Sequence, residues 1–221
     1  MSLELKGCLF DMDGVIVDSA AHHFVAWKRL ADELSIPFTE EDNHALKGLS
    51  RVDSLDHILR MGHLLLDEKT KLKLMAQKNA WYLDLIKGMR AKDILPGARE
   101  LIEELVADGI KVGLGSSSRN AQLILDNVGL TPLFDAVVDG NHITLSKPDP
   151  EVFLKGAHSL GLRPSEIVVF EDAESGVKAA KSGGFFAVGV GSEKQLGHAD
   201  VVVPSMEGVT LQQLKSWVHP A

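Results

Sequence analysis

The chain has 221 residues, 45% of them hydrophobic and 24% charged, enough to bury one full core with a smaller insert and unlike a disordered chain. Its formal net charge of −8 argues against a nucleic-acid surface, whose footprint is a basic face. The lone cysteine, Cys8, excludes an internal disulfide. No apolar run reaches the roughly 18 residues of a membrane span, and the start lacks the basic, apolar and small-residue series of a secretory signal, so a cytoplasmic protein with no membrane partner is expected.

In chain order, the first predicted element is the strand GCLFDMD, which carries Asp11 and Asp13 where it empties into Gly14. From Ser19 to Arg90 the patterns HHFVAWKRLADEL, RVDSLDHILRMG and EKTKLKLMAQKNAWYLDLIKGM are helical, with no convincing strand between them. Alternation starts near GARELIEELVADG, where Leu101, Ile102, Leu105 and Val106 share a helix face and Gly109 stops it. The strands IKVGLGSS, DAVVDG, EIVVFED, FFAVGVG and ADVVVPS follow, with helical RNAQLILDNVGL and PEVFLKGAHSLGL among them. Nearly continuous apolar strands alternating with helices imply a parallel sheet covered on both faces, with ligands at the carboxyl ends of its strands. The predicted fold is therefore α/β: a Rossmann-like core of residues 1–17 and 91–221, with an inserted α-helical cap domain over 18–90. Two connections, near 15–18 and 90–94, make a double hinge suited to a lid that closes on substrate.

The strand ends collect the chemistry. A buried carboxylate is costly unless a charge, a metal or hydrogen bonds offset it, yet Asp11 and Asp13 sit together where the first strand ends. Alternation along that strand would give them one face. Ser116, Ser117 and Ser118 end the second strand, Lys147 follows the third in SKPDP, and Glu171 and Asp172 end the fourth. Carboxylates, a hydroxyl and an ammonium at one sheet edge fit phosphoryl transfer through a carboxylate nucleophile. A hard divalent cation on oxygen ligands, with magnesium suiting the role, would bridge the two like charges. Lys147 and Ser116 would take the non-bridging oxygens.

DMDG, the Ser-ended strand, the Lys-Pro pair and the Glu-Asp pair resemble the four motifs of the haloacid dehalogenase superfamily, over essentially the whole chain. The resemblance implies that Asp11 is the nucleophile that becomes an aspartyl phosphate and that Asp13 is the general acid and base. It also implies that Asp11, Asp172 and the Asp13 backbone carbonyl hold Mg2+, with Glu171 beside them as a ligand or from behind. An Asp at position 13 resembles the phosphate-ester branch and argues against carbon–halogen and phosphonate chemistry.

Within the helical insert, LKGLSRVDSL places Ser50 as N-cap of the following helix, with Asp53 three residues on. Flanked by Lys47 and Arg51, the same helix start can hold a second phosphate. With HHFVAWKRLADEL and QKNAWYL, this loop is similar to the β-phosphoglucomutase family. That resemblance implies that Arg51 grips the phosphate remote from the nucleophile and that Gly48, Leu49 and Ser50 line the sugar. Lys78 and Asn79 would contact substrate, with Lys47, Ser54, Ser117, Ser118, Arg119 and Asn120 completing the binding set. His23 would position Asp13 in the closed form, and Trp27 would wall the sugar, although a Trp at helical spacing is more often simply core. Ser19 in place of Thr, Leu49 in place of a smaller branched residue, Ser117 for Ala and Arg119 for Lys depart from the family pattern without removing a needed group. Asp18 reads as a hinge or capping residue.

The implied activity interconverts β-glucose 1-phosphate and glucose 6-phosphate through glucose 1,6-bisphosphate, in a monomer whose partners are small sugar phosphates. A sugar-phosphate phosphatase of the same fold is the alternative. A non-catalytic sugar-phosphate binder would be expected to have lost the nucleophile or metal residues, and Asp11, Asp13, Lys147 and Asp172 are all present.

Overall fold

The computed structural model describes residues 4–218. Six strands form one parallel sheet: β1 (Gly7–Phe10), β2 (Lys111–Gly115), β3 (Ala136–Val138), β4 (Ile167–Glu171), β5 (Phe186–Val190) and β6 (Val201–Val203), in the order β3-β2-β1-β4-β5-β6. The chain builds outward from β1 through β2 and β3, then returns to the other side of β1 with β4. That reversal is a topological switch point, and it opens a crevice at the carboxyl ends of β1 and β4. Leu9 stands opposite Gly113 on one side and Val169 on the other.

Alternation sorts the β1 side chains between two cores. Cys8 and Phe10 enter the larger cluster, under helices α5 (Ala98–Ala107), α6 (Ala121–Val128) and α10 (Leu211–Val218), while Leu9 enters the smaller one under α7 (Glu151–Leu160) and α8 (Glu174–Ser182). Phe10 and Phe170 stack across neighbouring strands at 4.8 Å. A short helix α9 (Glu193–Leu196) precedes β6.

Between β1 and α5 lie four helices: α1 (Ala20–Glu33), α2 (Glu40–His44), α3 (Arg51–Met61) and α4 (Glu68–Ile86). They carry an apolar cluster of their own, including Trp27, Leu30, Phe38, Leu55, Ile58 and Met75. The foot of α4 breaks that separation, because Tyr82, Ile86 and Met89 pack into the larger sheet cluster. Where the insert leaves and rejoins the sheet, Val17 bridges Ile94 and Leu95 N–H donates to Ile16 O at 2.9 Å, so the two connections run side by side.

The first strand is shorter than its apolar run. It ends at Phe10, and Asp11 to Val17 fold into a compact loop closed by Gly14 N–H to Val17 O at 2.8 Å and Ile16 N–H to Met12 O at 3.0 Å. Strand alternation therefore does not set the relation of Asp11 to Asp13; this loop does. Among the described residues no helix is long and apolar enough to cross a membrane.

Candidate active site

Asp11 is the first residue past β1, pinned by its N–H to Phe170 O at 2.9 Å. Its Oδ1 accepts from Lys147 Nζ at 2.7 Å and its Oδ2 from the Asp13 N–H at 3.1 Å. The Lys147 side chain is fully buried and spends its three protons on Asp11, Glu171 and the Gly115 carbonyl. Burial works against its charge, but Asp11 and Glu171 outweigh burial and hold the ammonium above its usual range.

Oxygens of Asp11, Glu171 and Asp172 all lie within 4.8 Å of one another. Burial pushes Glu171 up to about 8 and raises Asp172 as well. Three crowded carboxylates face two ammoniums, the buried Lys147 and the half-buried Lys47 on Asp172, which leaves them richer in acidic than basic groups, and an all-oxygen donor set is the kind a hard divalent cation takes. The residues therefore fit magnesium. Both Glu171 oxygens are already engaged, Oε1 by Lys147 and Oε2 by the Ala173 N–H at 2.8 Å, which suits a residue that supports the site from behind Asp172. Gly14 has φ of +79°, and a Cβ there would come 2.2 Å from Asp172 Oδ2, so glycine lets the loop and the carboxylate approach. The Asp13 carboxylate is not one of the three.

Asp13 is held elsewhere. Ser19 Oγ donates to its Oδ1 and lies 3.0 Å from Tyr82 Oη. Desolvation, then the neighbouring Asp11 charge, push the Asp13 carboxyl up to about 7, a value suited to a group that must both give and take a proton near neutrality. His23 engages the insert's own residues: its Nδ1 meets Lys78 Nζ at 2.8 Å and the imidazole stacks on Tyr82 at 4.0 Å. Lys78 is buried with its Nζ over the rings of Trp27 and Tyr82 at 4.5 and 4.7 Å. Desolvation, then the charge of Arg51, hold Lys78 well below its usual range, and desolvation with the Lys78 charge does the same to His23.

The α2–α3 loop brings the insert onto the sheet edge. Lys47 Nζ pairs with Asp172 Oδ2 at 2.7 Å, Ser117 Oγ donates to Gly48 O at 2.9 Å, and Ser175 Oγ donates to Lys47 O at 3.3 Å. Gly48 adopts φ of +75°, and a Cβ there would strike Ser175. Arg51 and Asn120 both donate to Asn79 Oδ1, at 2.7 and 2.9 Å. Ser116 Oγ accepts from Ser118 N–H at 3.1 Å, and Ser118 Oγ from Asn120 N–H at 3.3 Å. The fold thus turns consecutive strand-end hydroxyls into a small polar shelf.

One cavity is lined by Asp11, Asp13, His23, Trp27, Lys47, Gly48, Leu49, Arg51, Ser54, Lys78, Asn79, Ser116, Ser117, Ser118, Arg119, Asn120 and Asp172. Trp27 serves as both wall and core, being 3% exposed. Lys147 and Glu171 stand behind the wall. Ser50 is not brought to the wall: its hydroxyl caps α3, accepting from the Asp53 N–H at 3.2 Å and donating to Asp53 Oδ2 at 2.6 Å. Asp18 is exposed, and the N-cap of α1 falls on Ser19. Sequence reasoning missed Ala20, Asn43 and Leu46 in the lining and Tyr82 behind it. A tyrosine on the buried side of a helix gives no local sign that its hydroxyl reaches a residue 63 positions away.

A parallel α/β sheet with paired aspartates, a strand-end serine, a buried lysine and an acidic pair beneath a helical insert defines a phosphoryl-transfer class of fold. The chain belongs to the haloacid dehalogenase-like hydrolase family, whose family model matches residues 5–184. It is 42% identical over 212 residues to beta-phosphoglucomutase of Bacillus subtilis (strain 168), covering 95% of this chain and 94% of that protein. The crystal structure of beta-phosphoglucomutase from Clostridium difficile superposes with a TM-score of 0.95 at 36% identity, over 97% of each chain. A phosphorylated carbohydrates phosphatase of Thermotoga maritima is 32% identical over 183 residues, 81% of this chain and 82% of that one.

Proposed function

We propose that this chain is a magnesium-dependent β-phosphoglucomutase, a monomeric cytoplasmic enzyme in which residues 18–90 act as a cap on the core formed by 1–17 and 91–221. The observation that carries the reading is the placement of the cap residues Lys47 and Arg51 in the same cavity as Asp11 and Asp13. A phosphatase needs the nucleophile; a mutase also needs a grip on the far phosphate while the intermediate turns round.

An Asp11 carboxylate oxygen attacks phosphorus, forming an aspartyl phosphate as the bond from phosphorus to the sugar oxygen breaks. Asp13 gives its proton to the departing oxygen. In the second half it takes the proton from the attacking hydroxyl, and the phosphoryl group leaves Asp11. Starting from the phosphorylated enzyme, β-glucose 1-phosphate is phosphorylated at C6; glucose 1,6-bisphosphate then reorients and returns its C1 phosphate to Asp11, releasing glucose 6-phosphate. Lys147 faces Asp11 throughout and offsets its negative charge, while the Ser116 hydroxyl and the shelf beside it receive the phosphoryl oxygens. Arg51, steadied by Asn79, holds the phosphate that is not reacting, and Trp27 with Leu49 flanks the sugar. Magnesium held by Asp11, Asp172 and the Asp13 carbonyl would neutralise charge between nucleophile and phosphate.

Phosphorus NMR of the purified protein with magnesium, β-glucose 1-phosphate and a trace of the bisphosphate tests this. Glucose 6-phosphate with little inorganic phosphate is the expected result. Inorganic phosphate from many esters with no isomerisation overturns it in favour of the phosphatase reading, to which the Thermotoga relative points.

A further inference from the structure

We infer that Tyr82 is a positioning residue for Asp13, acting through Ser19 and tying the acid/base carboxyl to the foot of α4. The inference rests on the acid/base role proposed above.

Proton counting orders the chain of contacts. Ser19 has a single hydroxyl proton and gives it to Asp13 Oδ1. Its 3.0 Å contact with Tyr82 is then a hydrogen bond in which the tyrosine donates. Tyr82 is fully buried, and a buried phenol needs a partner; Ser19 is the one the described residues supply. The order is therefore Tyr82 O–H to Ser19 Oγ, then Ser19 O–H to Asp13 Oδ1. Oδ1 is kept as an acceptor, which leaves Oδ2 as the oxygen that carries the transferred proton.

A second feature points the same way. Ser19 is the N-cap of α1, a position where a serine side chain ordinarily accepts from the helix N-terminus, yet it makes no such bond. Its hydroxyl is diverted from capping to the Tyr82–Asp13 chain. The ring of Tyr82 is held by its packing: His23 stacks on it at 4.0 Å, and it shares the sheet cluster with Ile86 and Met89. A phenol anchored at the base of the insert thus sets the carboxyl that must be aligned when substrate is enclosed.

Tyr82→Phe keeps the ring and its packing and removes the donor. Expected is an about tenfold fall in kcat for isomerisation with KM within about twofold, the equivalent of one lost hydrogen bond. Phosphorylation of Asp11 by acetyl phosphate, whose acetate leaves without a proton, stays at the wild-type rate. In a Ser19→Ala background, Tyr82→Phe costs nothing further, because the chain is already cut. Equal losses with both phosphoryl donors, an unchanged kcat, or additive losses with Ser19→Ala overturn the assignment. Should the wild type hydrolyse sugar phosphates without isomerising them, the mutase reading fails alone. The comparison of ester with acetyl phosphate then decides the role of Tyr82 by the same criteria.

Discussion

Lys147 is placed to serve the fold as well as the proposed reaction. Its ammonium is buried against Asp11 and Glu171, and removing one member of such a group leaves like charges facing each other without water, at a cost of about 3–5 kcal/mol. Lys147→Ala is therefore expected to lower the melting temperature of the metal-free protein strongly at pH 7. The gap to wild type should narrow on acidification, because Glu171, raised to about 8 even beside the ammonium, sits higher still without it and takes up its proton at a pH where the wild-type carboxylate remains charged; calorimetry from pH 10 to 7 reads it. Gly14→Ala tests the neighbouring contact: a Cβ that would come 2.2 Å from Asp172 Oδ2 must push that carboxylate aside. The magnesium concentration for half-maximal activity should rise by about tenfold or more, the scale set by disturbing a ligand's support, and an unchanged requirement would remove Asp172 from the metal set. Asp11, Asp13, Lys147 and Asp172 were legible because their types are expensive to place at apolar strand ends. Tyr82 was not, since its value comes from a contact distant in sequence, and Ser19 showed only as a family departure whose partners the fold alone reveals.

Among the elements, the strands were readable because parallel sheets bury both faces, and every run of Val, Ile and Phe singled out lies in one. Their ends were less so: β1 stops at Phe10 because the residues after it bond to each other within the loop, a local closure invisible to hydropathy. Helix α8 leaves no periodic signature in the sequence because its buried side is Gly176, Ala179 and Ala180 with Val177, too small to make an apolar stripe. Small residues are required there, since a Cβ on Gly176 would lie 1.9 Å from the Glu171 carboxylate. Ahead of β4, Glu166 joins two strand starts, taking Lys6 Nζ at 2.9 Å and the Arg163 N–H at 2.8 Å. The Arg163 side chain, with these other donors, lowers it to about 2. A carboxylate depressed in this way adds stability above its unfolded pKa of about 4.3, and that stability drains away as pH falls through about 2. Glu166→Gln should melt below wild type at pH 6 and converge with it near pH 2. Parallel melting curves at every pH would show that the carboxylate charge contributes nothing there.

At the scale of the molecule, the insert meets the catalytic edge through polar contacts: Lys47 with Asp172, Ser117 with Gly48, Ser175 with Lys47, Ser146 with Asp53 and Asn120 with Asn79. Each net hydrogen bond is worth about 0.5–1.5 kcal/mol, and water replaces most of that on separation. The insert keeps a separate apolar cluster, so parting the two layers at this edge leaves that cluster packed. In the proposed cap role the insert needs substrate to favour closure, and Arg51 is placed to supply the link, because Asn79 accepts from Arg51 of the insert and from Asn120 of the core at once. A phosphate held at Arg51 therefore bears on the junction between the layers as well as on binding. Arg51→Ala should reduce isomerisation by about a hundredfold or more, in line with losing a charge-assisted grip that also orients the substrate, while acetyl phosphate, which has no second phosphate, phosphorylates Asp11 at close to the wild-type rate. The phosphorylated variant should also lose more of its phosphoryl group to water per turnover, since a closure that sugar phosphate no longer favours excludes water less well. Following glucose 6-phosphate and inorganic phosphate together by phosphorus NMR separates the two effects. Equal losses with both donors would place Arg51 in the folding of the insert, and a lost isomerisation with no extra hydrolysis would confine it to gripping phosphate, leaving closure to Lys47 and the shelf of serines.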